Sequence, residues 1–200
     1  MTKLPYGPPN GRSLALLASL LVLSPALASA APPTSLISSP SLGAEIGRLS
    51  YGAQVALDLP PGGLDAGPRL TGEVMYGFMD LAPQLRLDLG GRVSWAYHGS
   101  GTPGLSQWLL DFVPDVKIRY AVNDQVGVYG DFGMGLGILD TDLGSYGSDT
   151  TAALTVQFGA GAVYALTPNI NVLGEIRFDI YTKSGSGTYV AIPTVGLEFH

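Results

Sequence analysis

Residues 108–122, WLLDFVPDVKIRYAV, decide the fold. Trp108, Leu110, Phe112, Val116, Ile118, Tyr120 and Val122 keep to alternate positions, and Asp111, Asp115, Lys117 and Arg119 fall between them. A period of two puts one set on each face of a strand. No helical spacing unites either set.

Seven further runs repeat the pattern: 49–59, 70–78, 85–97, 126–138, 152–166, 170–180 and 189–199. The links between runs alternate in length. Residues 60–69, 98–107, 139–151 and 181–188 are long and rich in Gly, Ser and Asp, while 79–84, 123–125 and 167–169 are short. Gly-Gly, Asn-Asp and Pro-Asn in these links supply turn geometry. Eight runs joined by long and short links in turn predict four hairpins of a meander. The expected architecture is an all-β, eight-stranded, antiparallel up-and-down barrel in which every backbone group is paired. Pro114 and Pro193 fall inside runs, where proline removes a ladder bond, and local bulges are expected at both.

Charge separates by face. The apolar phase of the eight runs holds no charged residue. The other phase holds Asp58, Glu73, Arg86, Asp88, Arg92, Asp111, Asp115, Lys117, Arg119, Asp131, Glu175, Arg177, Asp179 and Glu198. A soluble, lipocalin-like barrel would turn the apolar phase inward; a membrane barrel would turn it towards lipid. Aromatic residues decide between them. Fourteen lie in the apolar phase, more than a small interior accommodates, and only Tyr129 in the other. The polar phase instead carries small residues (Gly127, Gly133, Gly135, Gly137, Ala153, Gly159 and Gly161) that suit a narrow bore.

The rings also gather towards strand ends. Tyr76, Phe78, Tyr120, Tyr164 and Phe199 lie by the short turns; Trp95, Tyr97, Trp108, Phe112, Phe178 and Tyr189 approach the long loops. They read as two interfacial girdles. Runs of this length, tilted about 40°, span an apolar band of roughly 25 Å. The expected barrel is transmembrane.

Composition agrees. Of 200 residues 46% are apolar and only 13% charged, about half the usual charged fraction. No apolar run reaches the roughly 20 residues of a membrane helix. A net charge of −6 leaves nucleic acid without an electrostatic footprint. The absence of cysteine excludes disulfides, thiolate metal sites, thiol catalysis and lipid attachment at an N-terminal cysteine. Residues 1–30 read as a cleavable signal peptide: Lys3 and Arg12 lead, the apolar stretch 14–27 follows, and Ala28-Ser29-Ala30 is the cleavage site. Its removal leaves 8 basic against 16 acidic residues, a mature charge of −8. Residues 31–45 (APPTSLISSPSLGAE) are expected to be a flexible periplasmic lead-in, and 46–200 the barrel.

The signal sequence, eight alternating strands, short Pro/Asn turns and C-terminal TVGLEFH resemble the small outer-membrane barrels of the OmpA-transmembrane-domain and OmpX type, over about residues 46–200. That resemblance implies the outer membrane of a Gram-negative envelope, lipid as neighbour, a monomeric state and no cofactor. The family closes on a C-terminal aromatic preceded by apolar residues at every second position, which the barrel-assembly machinery recognises. Val195, Leu197 and Phe199 match, with His200 following.

Inward charges in a low-dielectric bore need partners. Arg86, Arg92, Lys117, Arg119 and Arg177 are expected to pair with Glu73, Asp88, Asp115, Asp131, Glu175, Asp179 and Glu198 on neighbouring strands, plugging the barrel. The expected function is that of a non-enzymatic outer-membrane protein whose four surface loops serve envelope integrity, adhesion or lipid contact. A narrow, low-conductance, porin-like channel for small solutes is the alternative. A lipid A-modifying enzyme is third: His98-Gly99-Ser100 resembles the His-x-Ser of lipid A deacylases, with Asp111 further on. Those sites face lipid, whereas His98 takes the inward phase. Asp140-Thr141-Asp142 with Gly144 and Asp149 lacks the closing glutamate of a calcium loop, and Gly133-x-Gly135-x-Gly137 lies within a strand, so neither metal nor nucleotide is expected.

Overall fold

The computed structural model describes Leu42, residues 45–182 and residues 188–200. The expected signal peptide (1–30) and all of the lead-in (31–45) except Leu42 and Glu45 lie outside the described residues. Eight strands follow: β1 (Leu49–Leu59), β2 (Gly67–Ala82), β3 (Leu85–His98), β4 (Leu105–Ala121), β5 (Val126–Leu143), β6 (Ser148–Thr167), β7 (Ile170–Tyr181) and β8 (Thr188–Phe199). Each pairs antiparallel with the next, and β1 pairs with β8. The ring closes, which satisfies the backbone without an edge strand.

The long loops are shorter than their composition suggests. β2 starts at Gly67, and β5 and β6 continue to Leu143 and from Ser148, with a single 3-10 turn between them. Ladder bonding carries Thr, Ser and Asp into strand there, against their intrinsic preference. Gly144 and Gly147, both at positive φ (64° and 98°), then make the reversal.

β4 displays the two faces. Asp111, Val113, Asp115, Lys117 and Arg119 are buried; Phe112, Pro114, Val116, Ile118 and Tyr120 are exposed. Among the described residues 24 buried ones are polar or charged and only 13 apolar, the inverse of a soluble core. Leu136, Leu166, Val55 and Phe132 are each more than half exposed. The apolar phase therefore faces outward. Glycine makes room for what is inside. A Cβ on Gly161 would stand 2.6 Å from Cζ of Tyr129, and one on Gly137 would stand 2.4 Å from Oγ1 of Thr155 and 2.6 Å from Cε1 of Tyr181.

β8 departs from simple alternation. Ala191 and Thr194 face Asp58 and Ala56, so three steps on β8 match two on β1, and the same slip occurs against β7. This bulge at Ile192–Pro193 switches the faces. Val195, Leu197 and Phe199 point outward, but Tyr189 and Ala191 are buried inside. Tyr189 is thus not part of a lipid-facing girdle. Phe112 does face outward, but near the middle of β4 and not at its end. Pro114 causes no slip: register is unbroken through Gly91↔Pro114 and from Phe112↔Leu136 to Asp115↔Gly133. Its missing donor accompanies only a short gap in the β4–β5 pairing.

A Cβ on Gly135 would lie 2.0 Å from the carbonyl oxygen of Phe112, whereas Gly174 has nothing within 4 Å. Urea unfolding in vesicles should show Gly135→Ala losing about 1–3 kcal/mol and Gly174→Ala less than about 0.5 kcal/mol.

Candidate functional site

The chemistry-bearing side chains of this chain converge in the bore, in layers. At the long-loop end Ala96, Leu109, Leu139, Ala153, Tyr181 and Tyr189 form a buried cluster. The two tyrosine rings meet edge to face at 5.0 Å. Their hydroxyls donate to Oδ2 of Asp111 (2.8 Å) and Oε1 of Gln107 (2.6 Å), so the polar tips are satisfied while the rings fill space.

Next comes Arg69, which gathers three carboxylates. It donates to Oδ2 of Asp111 at 2.9 Å and Oδ2 of Asp58 at 3.4 Å, and it contacts Asp179. Nε2 of His98 lies 3.2 Å from Oδ2 of Asp58. At mid-bore Arg92 is bonded to Asp115, with Asp131, Glu175 and Glu73 at 3.4, 3.7 and 3.8 Å. Arg177 donates to Glu175 (2.7 Å), Gln54 (2.8 Å) and Thr71 (3.3 Å). Lys117 donates to both oxygens of Glu73 (2.9 and 3.1 Å) and sits 4.9 Å from the centre of the Tyr129 ring.

Towards the short turns Arg119 forks onto Glu198 (2.8 and 2.5 Å) and donates from Nε to Asp88 at 2.6 Å. Ser50 also donates to Glu198, and Tyr129 to Glu175, each at 2.9 Å. A second apolar layer follows, of Tyr129, Val163 and Leu173. No charged side chain in these ion pairs is more than 4% exposed.

The chain matches the family described as outer membrane protein beta-barrel domain over residues 14–199. It belongs to that family. Solved structures with the same fold include Neisserial surface protein A (TM-score 0.56, 16% identity, covering 76% of this chain and 94% of that one). OprG from Pseudomonas aeruginosa (TM-score 0.52, 13%, 80% and 99%) and Ail from Yersinia pestis (TM-score 0.50, 13%, 76% and 95%) are also similar. No curated protein sequence matches. As an outer-membrane barrel, the protein sits in the cell outer membrane with lipid against its apolar face. Its short turns mark the periplasmic side and its long loops the exterior.

Placed in that barrel, the sequence-derived residues sort as follows. Glu73, Asp88, Arg92, Asp115, Lys117, Arg119, Asp131, Glu175, Arg177, Asp179 and Glu198 all enter the bore. Arg86 does not. It lies at the periplasmic end of β3, where its Nε donates to Oδ1 of Asp80 at 2.9 Å, both side chains partly exposed. The β2–β3 hairpin slips register twice near its turn, so its tip leaves the regular bore. Arg69, which composition placed in a loop, takes the fifth cationic position; extending the phase of Thr71 and Glu73 back by one step would have found it. Neighbouring-strand pairing was also too narrow an expectation. Lys117 of β4 reaches Glu73 of β2, Arg119 of β4 reaches Glu198 of β8, and Arg92 of β3 reaches Glu175 of β7. The ion pairs cross the bore.

Tyr76, Phe78, Tyr97, Phe112, Tyr120, Tyr164 and Phe199 are exposed on the lipid face, and Trp95, Trp108 and Phe178 are partly exposed there. Phe178 stacks on Phe158 at 5.2 Å. His98 and Ser100 have separate partners: His98 is wholly buried beside Asp58, while Oγ of Ser100 accepts from the backbone N–H of Thr102 at 3.0 Å. Among the described residues no group of three or more His, Asp or Glu is placed to hold a metal ion.

Arg69→Met would leave Asp58, Asp111 and Asp179 without their shared cation. Equilibrium unfolding should show it losing about 3–5 kcal/mol, against less than about 1 kcal/mol for Arg86→Met.

Proposed function

We propose that this protein is a closed, non-enzymatic, monomeric outer-membrane barrel that meets its surroundings through four external loops, in envelope integrity, adhesion or lipid contact. The observation that carries this is the succession along the axis: an apolar tyrosine–leucine layer, a centre of crossing ion pairs, and a second apolar layer. A solute path needs continuous polar space. Here Arg69 spans from β2 to Asp179 on β7, and Arg119 from β4 to Glu198 on β8. Opening either pair strands a charge in a low-dielectric bore, at a cost of about 3–5 kcal/mol.

The same arrangement supports a non-enzymatic role. His98 lies beside Asp58 inside the bore while the Ser100 hydroxyl accepts from the Thr102 backbone in an exposed loop, so the nucleophile–base geometry that acyl transfer requires is not met by this pair. Biogenesis fits the outward Val195, Leu197 and Phe199 of β8 as the strand read by the assembly machinery.

Planar-bilayer recording tests closure. The wild-type barrel should give no steady conductance above bare lipid. Steady openings whose conductance changes in Arg119→Ala would overturn the closed reading in favour of a narrow channel.

A further inference from the structure

Ahead of β1 the chain turns back on itself at the periplasmic rim. The N–H of Arg48 bonds to the carbonyl of Glu45 (2.9 Å), their side chains form an ion pair (3.1 Å), and Gly47 takes a positive φ of 80°. The turn is pinned to β2: Gly47 N–H donates to the Gly77 carbonyl (2.9 Å), Gly77 N–H donates to the Arg48 carbonyl (3.0 Å), and Ile46 bridges Gly77.

The side chain of Leu42 packs on the inner apolar layer of Tyr129, Val163 and Leu173, and its Cδ1 lies 3.3 Å from where a Cβ on the inward Gly127 would stand. Its carbonyl accepts from Nη1 of Arg119 at 3.1 Å. That guanidinium is already committed to Glu198 and Asp88, so Leu42 engages the last cation of the ionic centre. Val163 and Leu173 are each 1% exposed and Tyr129 4%, although they line the end of the bore that opens to periplasmic water. Leu42 supplies apolar cover there.

We propose that the periplasmic mouth is a binding site for this chain's own Leu42, which acts as its stopper: Tyr129, Val163 and Leu173 take the side chain and Arg119 takes the carbonyl. Access to the ionic centre from the periplasm is then controlled by residues outside the barrel wall. The proposal rests on the closed-interior reading for its consequence, since a bore open at the exterior would be reached regardless of Leu42.

Because the chain lacks cysteine, a single thiol reports on the mouth. In the mature protein folded into nanodiscs, Val163→Cys should react slowly with a membrane-impermeant maleimide. Adding Leu42→Gly should raise the rate about tenfold or more, through loss of the apolar cover. Gly47→Val should do the same without touching the pocket, because it opposes the positive φ of the turn pinned to β2 ahead of β1. Retained gel-mobility shift on boiling verifies that each variant is folded. Equal labelling rates in folded wild-type and Leu42→Gly backgrounds would overturn the stopper. Bilayer recording keeps the two ideas apart: accelerated labelling with silent wild-type recordings supports both, while accelerated labelling with a conducting wild type sinks only the closed reading.

Discussion

A polypeptide crossing lipid as strands must pair every backbone N–H and C=O within itself, because hydrocarbon offers no partner. Closure of β8 onto β1 meets that demand, and the rest of this structure follows from it. Once the ring closes, each strand has one face against acyl chains and one against a bore about one side chain deep. Apolar residues are drawn to the first. Charges in the middle of the strands then lie on the second, where their partners are other side chains of the bore.

The interior meets this by sharing. Nine buried carboxylates (Asp58, Glu73, Asp88, Asp111, Asp115, Asp131, Glu175, Asp179 and Glu198) surround five buried cations, with each arginine or lysine serving two or more acceptors. Arginine suits the task, having five donors in a rigid plane and no tendency to lose its proton. Side chains this long fit only because their neighbours are glycines: Gly159 lies under Asp131 and Glu175, and Gly52 under Glu73. On the closed reading proposed above, the apolar layers at the two ends keep bulk water from the ion pairs, which strengthens each one.

Much of this was legible in the amino-acid sequence, because a strand's period of two is a property of consecutive residues. The alternation of 108–122 and of its seven counterparts carries the strand count, the order and the sign of each face. What escaped depends on more distant events. The bulge at Ile192–Pro193 was suspected, but its consequence for Tyr189, a change of face, needs the register against β1 and β7. Arg69 and Arg86 exchanged roles because strand ends are set by ladder pairing, not by the Gly and Pro content of the flanking link. Which cation meets which carboxylate across the bore is set by curvature and by side-chain length, and no linear pattern encodes it. Leu42 lay in a stretch without periodicity, so nothing marked it as a contact.

The central claim is that the ring-bearing face touches lipid and the ionic face lies within. Single tryptophans placed in a background with Trp95→Phe and Trp108→Phe test it most directly, in vesicles containing lipids brominated on their acyl chains. Phe132→Trp, on the exposed face of β5, should be strongly quenched by the bromines and untouched by aqueous iodide. Tyr129→Trp, in the bore, should escape the bromines. Quenching of the residue at 129 by lipid bromine, with the residue at 132 open to iodide, would contradict the account.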